Sequence, residues 1–387
     1  MSNSRSKRLA SRSLLAALMA GTLASCDLMH DDQPPCAVDP TVSTVINFKY
    51  DYNMQYTDLF HQQAGSVYLY VFDNNGVFRL RREVHTADGS DLRVTFTQSE
   101  LPAGTYQMVA IAEENPVGSS ADGSMPTFQL VNDMVPGVSR IDDYLIRMDR
   151  DGDTYADFGV VNYKDTYGAE RQMINTVWST KPDEVQTVTV PAAPKIAPDT
   201  PASEQPDDIV VNVTIPMMRI TNSVKINMLG EYITDKTTAD DYMMLIYFPD
   251  GNGTIDFTGT TYPFQPLYYR SLWKEINHNY KVQSKSSRDD NSRTAIQATF
   301  GLSRLQAGDA SELQIRDPET GEIIDRVENF SDFLAKYFEQ FDNPQEFLDR
   351  EYEFEVELSI NEEGKIQWIS VGVSVLGWAK RVYFVEL

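Results

Sequence analysis

From residue 42 onward the apolar residues of this chain come in short runs, each closed by turn residues, and that constrains the fold more than any other feature. Residues 67–72 (VYLYVF) are aromatic and β-branched, and they end at the turn Asp73-Asn74-Asn75-Gly76. Residues 42–50 alternate in part. Residues 92–96 (LRVTF), 105–112 (TYQMVAIA) and 185–190 (VQTVTV) follow, with Leu101-Pro102-Ala103-Gly104 as a second turn. Aromatic and β-branched runs bounded by such turns read as strands. Further strand signals lie at 209–215, 223–228, 242–248, 294–302, 353–360 and 366–387. One stretch has helical spacing: Phe333, Leu334, Tyr337, Phe338 and Phe341 recur at three and four, with Ser331 placed to cap it. Many short strands with little helix predict a mainly β protein built as two sandwiches.

Residues 191–208 (PAAPKIAPDTPASEQPDD) have five prolines and no apolar pattern, which marks a linker or a long loop. The expected organisation is a leader over 1–25, a tether over 26–41, an N-terminal β-sandwich over 42–192, a Pro-rich linker over 193–208 and a C-terminal β-sandwich over 209–387. Either sandwich block is long enough to bury a core.

The leader has a basic start (Arg5, Lys7, Arg8, Arg12) and an apolar run over 14–23 (LLAALMAGTL), too short to span a bilayer as a mature helix. Leu23-Ala24-Ser25-Cys26 ends it in the form of a bacterial lipobox. The expectation is cleavage before Cys26, a diacylglyceryl group on its thiol and an acyl group (palmitate-type) on its new amino terminus. At roughly 0.8 kcal/mol per buried CH₂, two or more chains anchor stably. No other cofactor is expected. No later apolar run reaches spanning length, so the lipid is the expected membrane attachment. Residues 27–41 are polar and carry Pro34, Pro35 and Pro40, so they read as a tether reaching roughly 50 Å when extended.

The formal charge of −24 becomes −28 once the four basic residues of the leader are gone. Such acidity argues against nucleic acid as a partner, because phosphate tracking needs basic stripes. It argues equally against lying flat on an anionic membrane. With Cys26 lipidated, Cys36 is the single thiol left, and no disulfide within the chain can form.

Catalytic patterns are missing from the sequence. His30, His61, His85 and His278 are scattered without metal-ligand spacing, and no nucleophile elbow, Walker loop or dinucleotide fingerprint occurs. Residues 149–157 (DRDGDTYAD) approach a calcium loop in their acidic spacing. Thr154 stands where an EF-hand needs glycine and Val160 where it needs glutamate, so a solvated acidic turn is the better reading. The chain reads as no enzyme.

Several segments, in order, resemble the fimbrial anchoring subunits of Bacteroidales-type (type V) pili. They are Tyr50-Asp51-Tyr52-Asn53-Met54 with Asp58-Leu59-Phe60, residues 67–73 with Gly76, and Leu101-Pro102-Ala103-Gly104-Thr105-Tyr106. Met217-Met218-Arg219-Ile220-Thr221-Asn222, Gln345-Glu346-Phe347-Leu348-Asp349-Arg350 and the closing residues 376–387 complete the set. The resemblance covers most of the chain after Cys26. It implies two transthyretin-like β-sandwich domains in tandem and a non-catalytic subunit, lipid-anchored in the outer membrane and exposed at the cell surface. That subunit would hold the base of a fimbria, limit its length and join the fimbrial shaft subunit by strand exchange, a form of β-augmentation. Asp27, Asp31 and Asp32 resemble an acidic surface-export signal.

Shaft subunits similar to this family are cut after an N-terminal arginine, which frees a strand and opens a groove. Here no arginine lies between Cys26 and Phe78, and the first is Arg79. The strand near residues 42–50 is therefore expected to stay in place, and the chain to donate a strand instead. The donor candidate is Arg381, Val382, Tyr383, Phe384, Val385, Glu386 and Leu387, apolar on both faces as a buried strand must be. Val371, Val373 and Val375 share a face just before it. The alternative, that this is the last strand of the chain's own second sandwich, stays open. Two other functions remain in play: a surface glycan-binding lipoprotein, which needs an exposed aromatic platform, and an accessory or tip adhesin. The 20 Tyr and 4 Trp fall mostly inside strand signals, where core packing accounts for them.

Overall fold

The computed structural model describes residues 39–85, 92–114, 128–148, 175–182, 184–197, 200, 204–263, 266–271, 273–282, 292–336, 341, 343–375 and 379–386. The chain divides into two compact units, Met1–Val42 with Ala192–Ile209, and Ser43–Pro191 with Val210–Leu387. In the first, the Thr41 amide donates to Asp208 Oδ1 at 2.7 Å and the Ile196 amide to Asp39 Oδ1 at 2.9 Å. These bonds tie the end of the expected tether to the Pro-rich segment.

The rest is mainly β with a few short helices, as expected. The first sheet runs in the order β3 (Phe78–His85), β2 (Ser66–Asp73), β5 (Gly104–Glu113), β8 (Val177–Thr180), β10 (Ile209–Arg219), β1 (Val42–Lys49), β4 (Val94–Thr97). The strand β9 (Gln186–Val190) also pairs with β5. The run VYLYVF, apolar on both faces, makes β2 a strand buried throughout. At the sheet's end, β3 alternates, with Arg79, Arg81, Glu83 and His85 exposed, and charge protects its edge. The two ends of the path meet: the Arg82 guanidinium of β3 lies 5.3 Å from the Phe96 ring of β4 and 2.6 Å from Glu100. The sheet is therefore nearly closed, like a barrel.

β10 continues through the buried Ile220 into β11 (Thr221–Gly230) of a second sheet. Its order is β15 (Trp273–Lys281), β16 (Ser292–Ser303), β11, β19 (Glu353–Ile360), β20 (Ile366–Val375), β21 (Ala379–Glu386). Only β11 and β19 of this sheet pair in parallel, Ser223 opposite Glu353 through Gly230 opposite Ile360. A third sheet is ordered β14 (Leu267–Arg270), β12 (Met243–Phe248), β17 (Glu312–Arg316), β18 (Ile323–Glu328). Alternate residues of the second and third sheets, among them Ile226, Met228, Phe300, Val356, Ile246 and Leu313, belong to one buried apolar cluster. A small sheet joins β6 (Phe128–Leu130) and β7 (Leu145–Met148) to β13 (Thr254–Asp256). Residues 209–219, expected to open the C-terminal block, are thus hydrogen-bonded into the first sheet, and the chain passes from one sheet to the next at Ile220.

Among the described residues the α-helices are Phe60–Gln63, Phe330–Ala335 and Pro344–Arg350, with a 3₁₀ turn at Ile141–Asp143. The second takes in Phe333 and Leu334 of the expected helix, while Tyr337 and Phe338 lie outside the described residues, Phe341 is not helical, and Ser331 is not the cap. Asn329 holds that position, with φ of 50°, and the Ser331 hydroxyl, on the second helical residue, donates to Asp309 Oδ2 at 2.8 Å.

Candidate functional site

The two terminal strands of the fold have different surroundings. β1 lies between β10 and β4, with Val42, Thr44, Ile46 and Phe48 buried. The Asn47 side-chain amide donates to the Val213 carbonyl of β10 at 3.4 Å. β21 has one neighbour. It pairs antiparallel with β20, from Trp368 opposite Glu386 to Val375 opposite Ala379, without a bulge. Among the described residues no strand pairs with its outer edge. The candidate donor residues Arg381 to Glu386 all fall in β21, and Leu387 lies outside the described residues. Cys26, Cys36 and the acidic residues 149–157 lie outside them as well. Arg79 is the second residue of β3, with its guanidinium 2.9 Å from Asp73. Cleavage there would part β1 and β2 from the strands they pair with.

After β1 the chain turns at residues 50–58, and Asn53 holds that turn. Its amide donates to the Tyr50 and Thr57 carbonyls at 3.1 and 2.9 Å, and its oxygen accepts from the Gln55 amide. Asp58 Oδ1 accepts from the Tyr50 and Phe60 amides, both at 3.0 Å. The structure brings this segment against residues 345–350, nearly 300 positions away. The Arg350 guanidinium stacks 4.1 Å from the Tyr52 ring and 4.5 Å from the Tyr56 ring, and the Lys181 ammonium lies 4.4 Å from Tyr52. Tyr56 is held at φ of 52°, a conformation costly for a residue with a side chain, and the Arg350 contact offsets part of that cost.

The helix Pro344–Arg350 forms because Asn343 accepts from the Gln345 amide at 2.9 Å and Pro344 takes the first-turn position, where its missing N–H costs nothing. It presents Asp349 to Arg304, a bidentate pair with both contacts at 2.8 Å and both side chains over nine-tenths buried. Arg304 also donates to the Gly259 carbonyl. Gly259 has φ of 77°, and a Cβ there would come within 3.0 Å of Pro182. Sequence reading missed Arg304. It stands 45 residues from its partner, with no spacing to mark it.

Where the first sheet hands over to the second, the Arg219 guanidinium stacks 4.0 Å from the Tyr352 ring and its Nε donates to the Thr221 carbonyl at 2.9 Å. Beside it the buried Glu351 accepts from the Tyr352 and Glu353 amides, both at 3.0 Å. Burial pushes the Glu351 carboxyl up to about 7. Glu113, at the end of β5, is buried with one carboxyl oxygen lacking a hydrogen bond, and burial pushes it up to about 8. At the start of β5 the Tyr106 hydroxyl donates to the Pro102 carbonyl at 2.8 Å. That corner borders an open cleft of about 590 Å³, lined by Asp73, Asn75, Arg79, Glu100 and Tyr106 among others. The resemblance motifs at 50–60, 101–106, 217–222 and 345–350 thus act as fixings of turns and sheet crossings. Among the described residues no group of three His, Cys, Asp or Glu could hold a metal ion, and no helix is long and apolar enough to cross a membrane.

Residues 30–383 match the sequence profile of the fimbrillin-A associated anchor proteins Mfa1 and Mfa2. The fimbrial anchor protein Mfa2 of Porphyromonas gingivalis has a similar structure, at 14% identity over 89% of this chain and all (100%) of that one, with a TM-score of 0.55. A Bacteroides thetaiotaomicron protein named for polysaccharide binding is similar at 22% identity, over 89% of this chain and 98% of that one, TM-score 0.63. An adhesin of the same organism is similar at 17% identity, over 91% of this chain and 100% of that one, TM-score 0.60. No curated protein matches significantly.

Proposed function

The chain belongs to the family of fimbrillin-A associated anchor proteins, structural proteins of the cell surface rather than enzymes, and on that premise we propose that it is the lipid-anchored subunit at the base of a fimbria. Cleavage before Cys26 and acylation of that residue attach it to the outer membrane, with residues 27–41 as the tether. Residues 42–387 act as two transthyretin-like sandwich domains. The chain joins the shaft subunit by strand exchange, with Arg381 to Leu387 as donor, and by remaining fixed to the lipid it limits shaft length. The observation that carries this reading is the family match across residues 30–383. The position of β21, at a sheet edge with one neighbour, supports the donor role. So does the enclosure of β1 between β10 and β4.

The test is a pull-down from outer membranes with the intact chain and with one ended after Lys380. Retention of the shaft subunit by the intact chain alone supports both the role and the donor strand. Retention by both keeps the role and removes the donor assignment. Retention by neither turns the reading to glycan binding, which the cleft beside Tyr106 favours by its mix of carboxylates, amide, guanidinium and one ring. Lipidation is tested separately: Cys26→Ala should move the protein from the membrane to the soluble fraction and abolish acylation measured by mass spectrometry.

A further inference from the structure

The open cleft beside Tyr106, about 590 Å³, falls within the roughly 300–1,000 Å³ of small-molecule sites. Two turns form its walls, and each is fixed by its own hydrogen bonds. In the first, Asp73 Oδ1 accepts from the Asn75 and Val77 amides at 2.9 and 3.0 Å, and the Arg140 guanidinium donates to the Asn75 carbonyl at 2.9 Å. In the second, Glu100 Oε2 accepts from the Thr97 amide at 3.0 Å, and the Leu101 amide donates to the Thr97 carbonyl at 2.9 Å. Walls held this way need little ordering when a ligand arrives.

The lining has an apolar part, Leu80, Pro102 and the Tyr106 ring, and a polar exposed part, Asn74, Asn75 and Arg79. Residue 104 leaves the ring uncovered on one side. A Cβ there would come within 3.3 Å of the Tyr106 hydroxyl, and no positive φ requires the glycine. The side-chain amides of Asn74 and Asn75 make no hydrogen bond among the described residues, so each has a donor and an acceptor to offer. Asp73 and Glu100 against Arg79, in a chain of formal charge −24, disfavour an anion. A peptide strand is disfavoured too. The edge of β3 is already taken at Phe78, which exchanges bonds of 2.8 Å with Ser139 and Gly137, and at Arg82, which holds Glu100. The stretch left between them is too short for a strand to pair.

We propose that this cleft is a carbohydrate-binding site for one neutral hexopyranose unit of a glycan. Leu80, Pro102 and the Tyr106 ring receive the C–H face of the sugar, and the Asn74 and Asn75 amides with the Arg79 guanidinium hold its hydroxyls. This takes up the glycan reading at the same cleft, but it needs no failure of the anchor role, because β21 belongs to a different sheet.

The test is saturation-transfer NMR on the full chain with four probes at millimolar concentration: the methyl glycosides of glucose, galactose, mannose and N-acetylglucosamine. Transfer to the ring C–H protons of at least one is expected. Asn74→Ala with Asn75→Ala changes two exposed side chains at positions without positive φ, so the thermal transition should not move. Affinity for the sugar should fall about tenfold, as the loss of two modest hydrogen bonds implies. Transfer from none of the four overturns the proposal. Equal transfer in the double variant places the sugar elsewhere and overturns it as well, as does transfer from a short control peptide alone. Capture of purified fimbrial shaft subunit by the double variant should match that of the unsubstituted chain. Intact capture without sugar transfer therefore removes this site alone, and sugar transfer without capture removes the anchor reading alone.

Discussion

β1 and β21 are of equal length, eight residues each, yet one is enclosed and the other is peripheral. β1 has neighbours on both edges, β10 and β4, and every second side chain is buried. Among the described residues β21 has a neighbour on one edge only. Removing an enclosed strand opens two rows of backbone groups and unroofs a core, whereas removing an edge strand opens only one row. The difference assigns separate tasks to the two ends of the chain. The first strand is built in, and the last is laid on at an edge.

The sharpest way to break this comparison is to delete residues 42–49. Loss of Val42, Ile46 and Phe48 alone withdraws about 1.5–3 kcal/mol of burial each, before any strand pairing is counted. Against a net stability of about 5–15 kcal/mol, the expected outcome is a chain with no cooperative thermal transition by calorimetry. A cooperative transition would show that β1 is dispensable and that the two ends are alike. A single side chain makes the same point on a smaller scale. Phe48 lies 5.6 Å from the Phe60 ring and is buried, so Phe48→Ala should cost about 3–5 kcal/mol in urea unfolding.

Two buried carboxyls separate the halves by pH. Glu351 keeps two backbone donors and rises to about 7, while Glu113 rises further, to about 8. A carboxyl raised by folding contributes stability that is complete below its unfolded value, near 4.3, and is lost as pH climbs through the folded value. Stability should therefore fall between pH 5 and pH 9, by about 4 kcal/mol for Glu113. Glu113→Gln should flatten the pH profile of chemical denaturation more than Glu351→Gln does, and should stabilise the chain at pH 9. A steeper profile in Glu113→Gln than in the parent would sink the assignment.

Much of this architecture was readable before any coordinates. Residues 353–360 coincide with β19 because EFEVELSI alternates with period two, and 67–72 fall inside β2 because a short run apolar on both faces has few other uses. β3 and β15 were missed for the opposite reason. Their sequences, FRLRREVH and WKEINHNYK, are charged edge strands, recognisable by their partners rather than by hydropathy. The strand signal at 209–215 stops short of β10, which runs on through Pro216 to Arg219. The Pro216 carbonyl accepts from the Lys181 amide at 2.9 Å, and the chain continues through Ile220 to the second sheet. The bond between Arg304 and Asp349 and the stack of Arg350 on Tyr52 join residues far apart in sequence, and no local pattern encodes either. The terminal strand was legible as a strand, but its pairing with β20 was not, since residues 366–387 show one apolar stretch whichever way it turns.

The smallest expected effect is the most informative about that strand. Ending the chain after Lys380 removes most of β21 but leaves β20 paired with β19 from Phe354 opposite Val373 to Ile360 opposite Ile366. The loss is one edge of hydrogen bonds, about 0.5–1.5 kcal/mol each before solvation of the freed groups compensates, so a net cost of about 1–2 kcal/mol is expected. In a chain of this size that shifts the melting temperature by about 1–3 °C. Differential scanning calorimetry checks it directly. A shift of 10 °C or more would mean that β21 is as integral as β1, and a strand so tightly held is a poor donor. A shift within the expected range leaves a folded chain whose last strand is separable, the condition that strand exchange requires.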